Sequence, residues 1–129
     1  MDKLRVVPYR PEHCLEHEAQ AKQGPCSSIL LGDEVLAMGG IMIPWIGLGI
    51  LWFDLRPAGK ARIRQIWPLC VQAVKDWVGQ YRFVRLEAHC DSGDPQAIRT
   101  AWHLGFRSES TMRRWGPGGR DHEMMVIVQ

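Results

Sequence analysis

The stretch Asp54-Leu-Arg-Pro-Ala-Gly-Lys-Ala-Arg-Ile-Arg-Gln65 carries the ingredients of a phosphate cradle. A strand that runs through a turn into a helix aims the helix's first N–H groups beyond the strand end. Those groups lack internal partners, and the helix dipole is positive there. Gly59 would let a ligand approach the main chain closely, and Lys60, Arg62 and Arg64 add positive charge. An ordinary strand-to-helix turn with a solvated basic surface fits the same residues. The Walker pattern G-x-x-x-x-G-K-[ST] is absent.

Other groups with chemistry are spread along the chain. Glu87 and His89 alternate with Ala88 on one face of an expected strand, and Asp54 closes another. His13 and His17 are four apart on an expected helix, which would put both rings on one face, with Glu16 and Glu18 near. No third or fourth ligand is evident and H-E-x-x-H is absent, so this reads as a solvated face and no metal site is expected. G-x-S-x-G and a Ser-His-Asp order are also absent, which leaves hydrolase chemistry without support. Trp115 beside Arg113 and Arg114 suits either a base- or peptide-reading surface or a capped sheet edge.

These residues need elements to position them. Leu4–Val7 reads as a strand stopped by Pro8, and Arg10–Lys22 as a helix with Pro11 in its first turn. Ser27–Leu31 and Val35–Met42 read as a hairpin around Gly32-Asp33, and Trp45–Leu55 as a further strand weakened by Gly47 and Gly49. Ile63, Ile66, Trp67, Cys70, Val74, Trp77 and Val78 recur at helical spacing, so Trp67 and Trp77 belong to a core face. Pro68 within that run predicts a kink or a restart. Arg82–Cys90 alternates as a strand, and Asp94-Pro95 caps a helix that Gly105 stops. Arg107–Trp115 and Glu123–Val128 form a last strand pair around the Gly116–Gly119 turn. The order β-α-β-β-β-α-β-α-β-β predicts one α/β domain over residues 1–129. A right-handed crossover should link strands 45–55 and 82–90 as parallel neighbours.

Two motifs in this order resemble a known family. Arg56-Pro-Ala-Gly59-Lys-Ala61 is similar to the [R/Q]-x-x-G-x-[G/A] signature after the fourth strand of GNAT N-acyltransferases. Asp94-Pro-Gln-Ala97, followed by Trp102-His-Leu-Gly-Phe106, resembles the family's N-x-x-A-x-x-x-Y-x-x-x-G-F helix. The short chain and the Gly119-Arg-Asp121 turn also resemble small GNAT-like proteins of bacteriophages and the N-terminal acetyltransferase branch. The resemblance implies a GNAT fold: a mixed, mostly antiparallel sheet with a splayed parallel strand pair and about three flanking helices. It implies transfer of acetyl from acetyl-CoA to a primary amine, on a protein or a small molecule. The CoA pyrophosphate would meet Arg56, Gly59, Lys60, Ala61 and Arg62. Its pantetheine would run along Phe53, Asp54 and Leu55, and Asp94, Ala97 and Trp102 would complete the cofactor side. Glu87, then His89 and Asp54, are the candidates to take the amine's proton, with burial expected to raise the Glu87 pKa. Trp45 and Trp52 would line the acceptor cleft or merely pack. The family's acid, a tyrosine, is replaced by Ala101. That departure motivates the alternative of a degenerate interaction protein, for instance a phage factor acting on a host protein.

Bulk properties agree with this class. The 129 residues are 46% hydrophobic and 23% charged, enough for a core without disulfides or metals. A net charge of +2 argues against a nucleic-acid binder. The N-terminus lacks an apolar signal region, and the apolar run 41–53 is too short and interrupted to span a bilayer. Cys14, Cys26, Cys70 and Cys90 have no C-x-x-C spacing and read as free thiols of a cytoplasmic protein, bacterial cytoplasm if phage-encoded. A monomer or a homodimer paired through its last strands is expected.

Overall fold

Apolar residues at every second position demand a sheet that is covered on one face. The computed structural model, which describes residues 3–129, shows how the chain meets that demand. Seven strands form one sheet: β1 (Leu4–Pro8), β2 (Cys26–Leu31), β3 (Glu34–Trp45), β4 (Leu48–Leu55), β5 (Arg85–Asp91), β6 (Arg107–Met112) and β7 (His122–Val128). Their order is β1-β2-β3-β4-β5-β7-β6. All neighbours are antiparallel except β4 and β5. Parallel neighbours need a long crossover, and α3 (Ile63–Tyr81) supplies it.

On β5 the alternation is complete: Leu86, Ala88 and Cys90 are buried and Arg85, Glu87, His89 and Asp91 are half-buried. The buried set joins Ile41, Phe83, Ala101, Phe106 and Met125 in the main core, to which Trp77 and Val78 of α3 and Ala97 and Ile98 of α4 (Pro95–His103) add cover. A second core of Ile29, Leu36, Ala37 and Ile66 lies near the start of α3. The opposite face, bearing Glu87 and His89, is the one available for chemistry.

Several boundaries differ from the sequence reading. Residues 10–22 do not form one helix. A 3-10 turn, Leu15–His17, leads into a single α turn, α1 (Glu18–Ala21). The weak apolar periodicity there gives a longer helix nothing to bury. Trp45 ends β3 rather than starting β4, because Ile46 and Gly47 make the hairpin turn and Trp45 pairs with Leu48. Gly47 sits at φ 96°, a conformation that suits glycine. The helix α3 is continuous through Pro68. Pro68 and Arg64 are both exposed, so water can satisfy the carbonyl that proline leaves unpaired. It also runs past Gly79 and stops at Arg82 in the left-handed region. The last pair holds as expected, with β6 ending at Met112.

The turn after β4 is a short helix, α2 (Pro57–Lys60). Gly59 is buried in it, and a Cβ there would stand 2.2 Å from the Leu36 carbonyl oxygen. Glycine at this position thus answers to close packing on β3. Gly59→Ala should lower the unfolding free energy by about 1–3 kcal/mol, the cost of overpacking a tight site. A urea titration unchanged in midpoint would refute that account.

Candidate active site

The register of β4 on β5 runs from Leu48–Arg85 to Leu51–Ala88 and stops there. The consequence follows from main-chain alternation. Arg85 N–H donates to the Gly47 carbonyl at 3.0 Å, and Arg56 N–H donates to the Leu36 carbonyl at 2.9 Å. Odd-numbered residues of β4 therefore present their polar main-chain groups toward β5, and even-numbered ones toward β3. Beyond Leu51 the odd residues are Phe53 and Leu55. Their N–H and C=O groups face a gap with no strand partner among the described residues. Two of the three residues expected to receive an extended ligand therefore expose main chain there. Asp54, between them, turns its main chain to β3.

Ile50 and Glu87 are register partners, so Trp52, Asp54, Glu87 and His89 all belong to the face of the sheet opposite the main core. Glu87 is held from two sides. Arg85 Nε donates to its Oε2 at 2.8 Å, and His89 Nε2 lies 3.0 Å from its Oε1. Arg85 also makes a two-pronged pair with Glu109 on β6, at 2.9 and 2.7 Å. Both carboxylates hold the Arg85 proton more firmly, Glu109 foremost. At Glu87, burial acts to raise the pKa. The hydrogen bonds and charges of Arg85 and His89 together outweigh it, and the net shift is downward. The expectation of a raised Glu87 pKa is thereby corrected: the carboxylate is kept ionised. Trp115 packs edge-on against His89, with ring centroids 5.0 Å apart, and also meets His122. That contact gives Trp115 a place in the site wall, which neighbouring arginines in the sequence did not suggest.

Asp54 is engaged elsewhere. His17 Nε2 lies 2.7 Å from its Oδ2, and Arg56 Nη2 lies 3.6 Å from the same oxygen. His17 also lies against the Trp52 ring at 4.8 Å. His13 instead bonds Ser28 Oγ, so the two histidines do not share a face as a long helix would require. The distance in sequence between His17 and Asp54 left this pair without any signal.

At the phosphate end, the turn amides are largely used. Gly59 and Lys60 N–H donate to the Arg56 carbonyl, and Arg62 N–H donates to the Gly59 carbonyl. A shallow depression lined by Ala61, Arg62, Ile63, Arg64 and Gln65 lies just beyond, at the N-terminus of α3. The depression and its basic side chains thus lie a few residues later than Gly59. Asp94 accepts the Ala97 N–H at 3.1 Å as the cap of α4, so both residues have a structural task. Ala101 is buried in the main core, and Trp102 is exposed with the Arg107 guanidinium 4.2 Å from its ring centroid.

No protein-family model matches this chain, and no curated protein sequence does. Solved structures do. A GNAT family acetyltransferase from Elizabethkingia anophelis, solved with acetyl-CoA bound, superposes with TM-score 0.75 at 10% identity, covering 100% of both chains. The ribosomal-protein-S18-alanine N-acetyltransferase from Escherichia coli gives 0.77 at 11%, covering 98% of this chain and 94% of its own. A variant of the spermidine N-acetyltransferase from Vibrio cholerae gives 0.76 at 10%, covering 97% and 93%. The chain has the GNAT fold, including its parallel strand pair. Among the described residues no helix is long and apolar enough to cross a membrane.

The Glu87 shift has a stability consequence. Its folded pKa lies below the ordinary 4.5. Ionised Glu87 therefore stabilises the fold above that value, and the contribution is lost as pH falls through the depressed pKa. Glu87→Gln should destabilise the protein at pH 7, and the gap to the parent should close as pH drops below 4.5. Denaturant melts across that range measure it; a gap that stays constant with pH would contradict the pairing.

Proposed function

We propose that the protein is an N-acyltransferase that moves an acetyl group from acetyl-CoA to a primary amine by direct transfer. The observation that carries this reading is the gap after Leu51 and Ala88, edged by unpaired main chain and faced by Glu87 and His89. Phe53 and Leu55 would hold the pantetheine arm by main-chain hydrogen bonds, as a strand adds to a sheet edge. Lys60, Arg62 and Arg64, with the depression at Ala61–Gln65, would hold the pyrophosphate. Bound acetyl-CoA supplies an activated thioester whose thiol leaves readily, near the ~8.5 of a cysteine thiol. This suits a site where Ala101 has no proton to give.

The base assignment moves within the pair. Glu87 is held charged by Arg85, which makes it a weak proton acceptor. The ionised carboxylate can only accept, so His89 Nε2–H donates to it. His89 Nδ1, without a hydrogen-bond partner among the described residues, is then the basic nitrogen. His89 would take the amine's proton, directly or through water, while Glu87 holds the ring and faces the charge it gains. The fold relatives act on a ribosomal-protein alanine and on spermidine. The acceptor proposed for this chain is likewise a primary amine.

A second reading has one observation in its favour. Ala101 is sealed in the core and itself has no proton to give. A GNAT-fold docking protein without turnover, such as a phage factor acting on a host protein, would tolerate that.

Titration calorimetry should show acetyl-CoA binding; no heat at millimolar cofactor removes the cofactor assignment. With an amine panel, His89→Gln should lower kcat by about 100-fold or more, the lower end for a lost general base. Glu87→Gln should lower it less, and neither variant should alter acetyl-CoA affinity. Bound acetyl-CoA with no transfer to any amine would favour the docking protein.

A further inference from the structure

We propose that Cys14, His17 and Asp54 form a binding site for a zinc-like divalent transition metal ion. One donor atom from each, a thiol sulfur, an imidazole nitrogen and a carboxylate oxygen, lies within 4.8 Å of the other two. These are the donor types that zinc takes, and three protein donors leave a fourth position for water or another ligand. Bond lengths of about 2.0–2.3 Å at tetrahedral angles put ligand atoms roughly 3.3–3.8 Å apart. The His17–Asp54 contact of 2.7 Å would open slightly and the thiol would close by about 1 Å. Cys14 and His17 stand at C-x-x-H spacing across a 3-10 turn, which brings both to β4 from one short segment.

The surroundings are those of a ligand set. His17 turns Nε2 toward the cluster, while its Nδ1 meets Gln20 Oε1 at 2.7 Å, the outer contact that fixes a metal-binding imidazole. The Tyr9 hydroxyl donates to the Cys14 carbonyl and anchors that residue's main chain. The indole of Trp52 lies against the His17 ring, and its buried Nε1 has no hydrogen-bond partner among the described residues. Arg56 Nη2 lies 2.6 Å from Cys14 Sγ and 3.6 Å from Asp54 Oδ2. Arg56 sets a positive charge beside both donors. On binding, the Cys14 thiol would give its proton to solvent, and the dication would match the thiolate and the carboxylate in place of the guanidinium. The ion would pin residues 9–24, which hold little regular structure, to the end of β4.

Cobalt(II) titrated into the reduced protein tests this without any enzymatic readout. A near-ultraviolet thiolate-to-metal band should appear and be abolished by excess zinc. Cys14→Ser should abolish the band, His17→Gln should weaken binding by about 10-fold or more, and Cys26→Ser should retain it. Far-ultraviolet circular dichroism checks that each variant is folded. Zinc should also raise the Tm of the parent but not of Cys14→Ser. No band with cobalt in excess, or a band that survives both Cys14→Ser and His17→Gln, overturns the site.

Discussion

Four residue pairs join β4 to β5, and the molecule is organised around the place where they end. β4 follows β3 on one side, and β5 follows β7 on the other. Each strand is bound along its far edge by an antiparallel partner. The parallel ladder between them need not continue, and past Leu51 and Ala88 it does not. A sheet normally hides main-chain donors and acceptors in its interior. Here Phe53 and Leu55 keep theirs near the middle of a seven-stranded sheet, with helices closing one face. Such a fissure can recognise a ligand's amide backbone while asking little of the side chains around it. The chain shares this fold with the solved structures described above at about 10% identity.

Side-chain electrostatics at the fissure form a line rather than isolated pairs. Glu109, Arg85, Glu87 and His89 are linked in that order and cross from β6 to β5. Arg85 is the pivot. It ties the outermost strand to β5 and, together with His89, keeps Glu87 ionised. On the other side of Trp52, a second group of Cys14, His17, Asp54 and Arg56 fastens the short N-terminal segment onto β4. Each group rests on a strand residue that alternation aims at the face opposite the main core.

Much of this was legible in the residues. The alternation read over Arg82–Cys90, the cap at Asp94-Pro95 and the crossover helix are local patterns; the strand begins only at Arg85, because Arg82 ends α3 in the left-handed region, and the cap stands where its pattern requires. The paired motifs at 56–61 and 94–106 led to the correct fold. Other features depend on partners that lie far away in sequence. Burial alone argued for a raised Glu87 pKa, while the arginine two residues before it reversed the sign. His17 and Asp54 are thirty-seven residues apart, and only the collapse of residues 9–24 onto the sheet joins them. Gly59 was read for ligand approach, whereas the Leu36 carbonyl explains its lack of a side chain. The helix expected over 10–22 failed because a weak apolar stripe had no surface waiting for it.

The seam between β4 and β5 also bears on how the chain folds. β2, β3 and β4 pair in succession through short turns, whereas the β4–β5 and β5–β7 ladders each close a much longer loop of similar length. Longer loops cost more entropy to close. The hairpins of β2 to β4 are thus the local part of the sheet, and β5 owes both of its edges to pairing between distant segments.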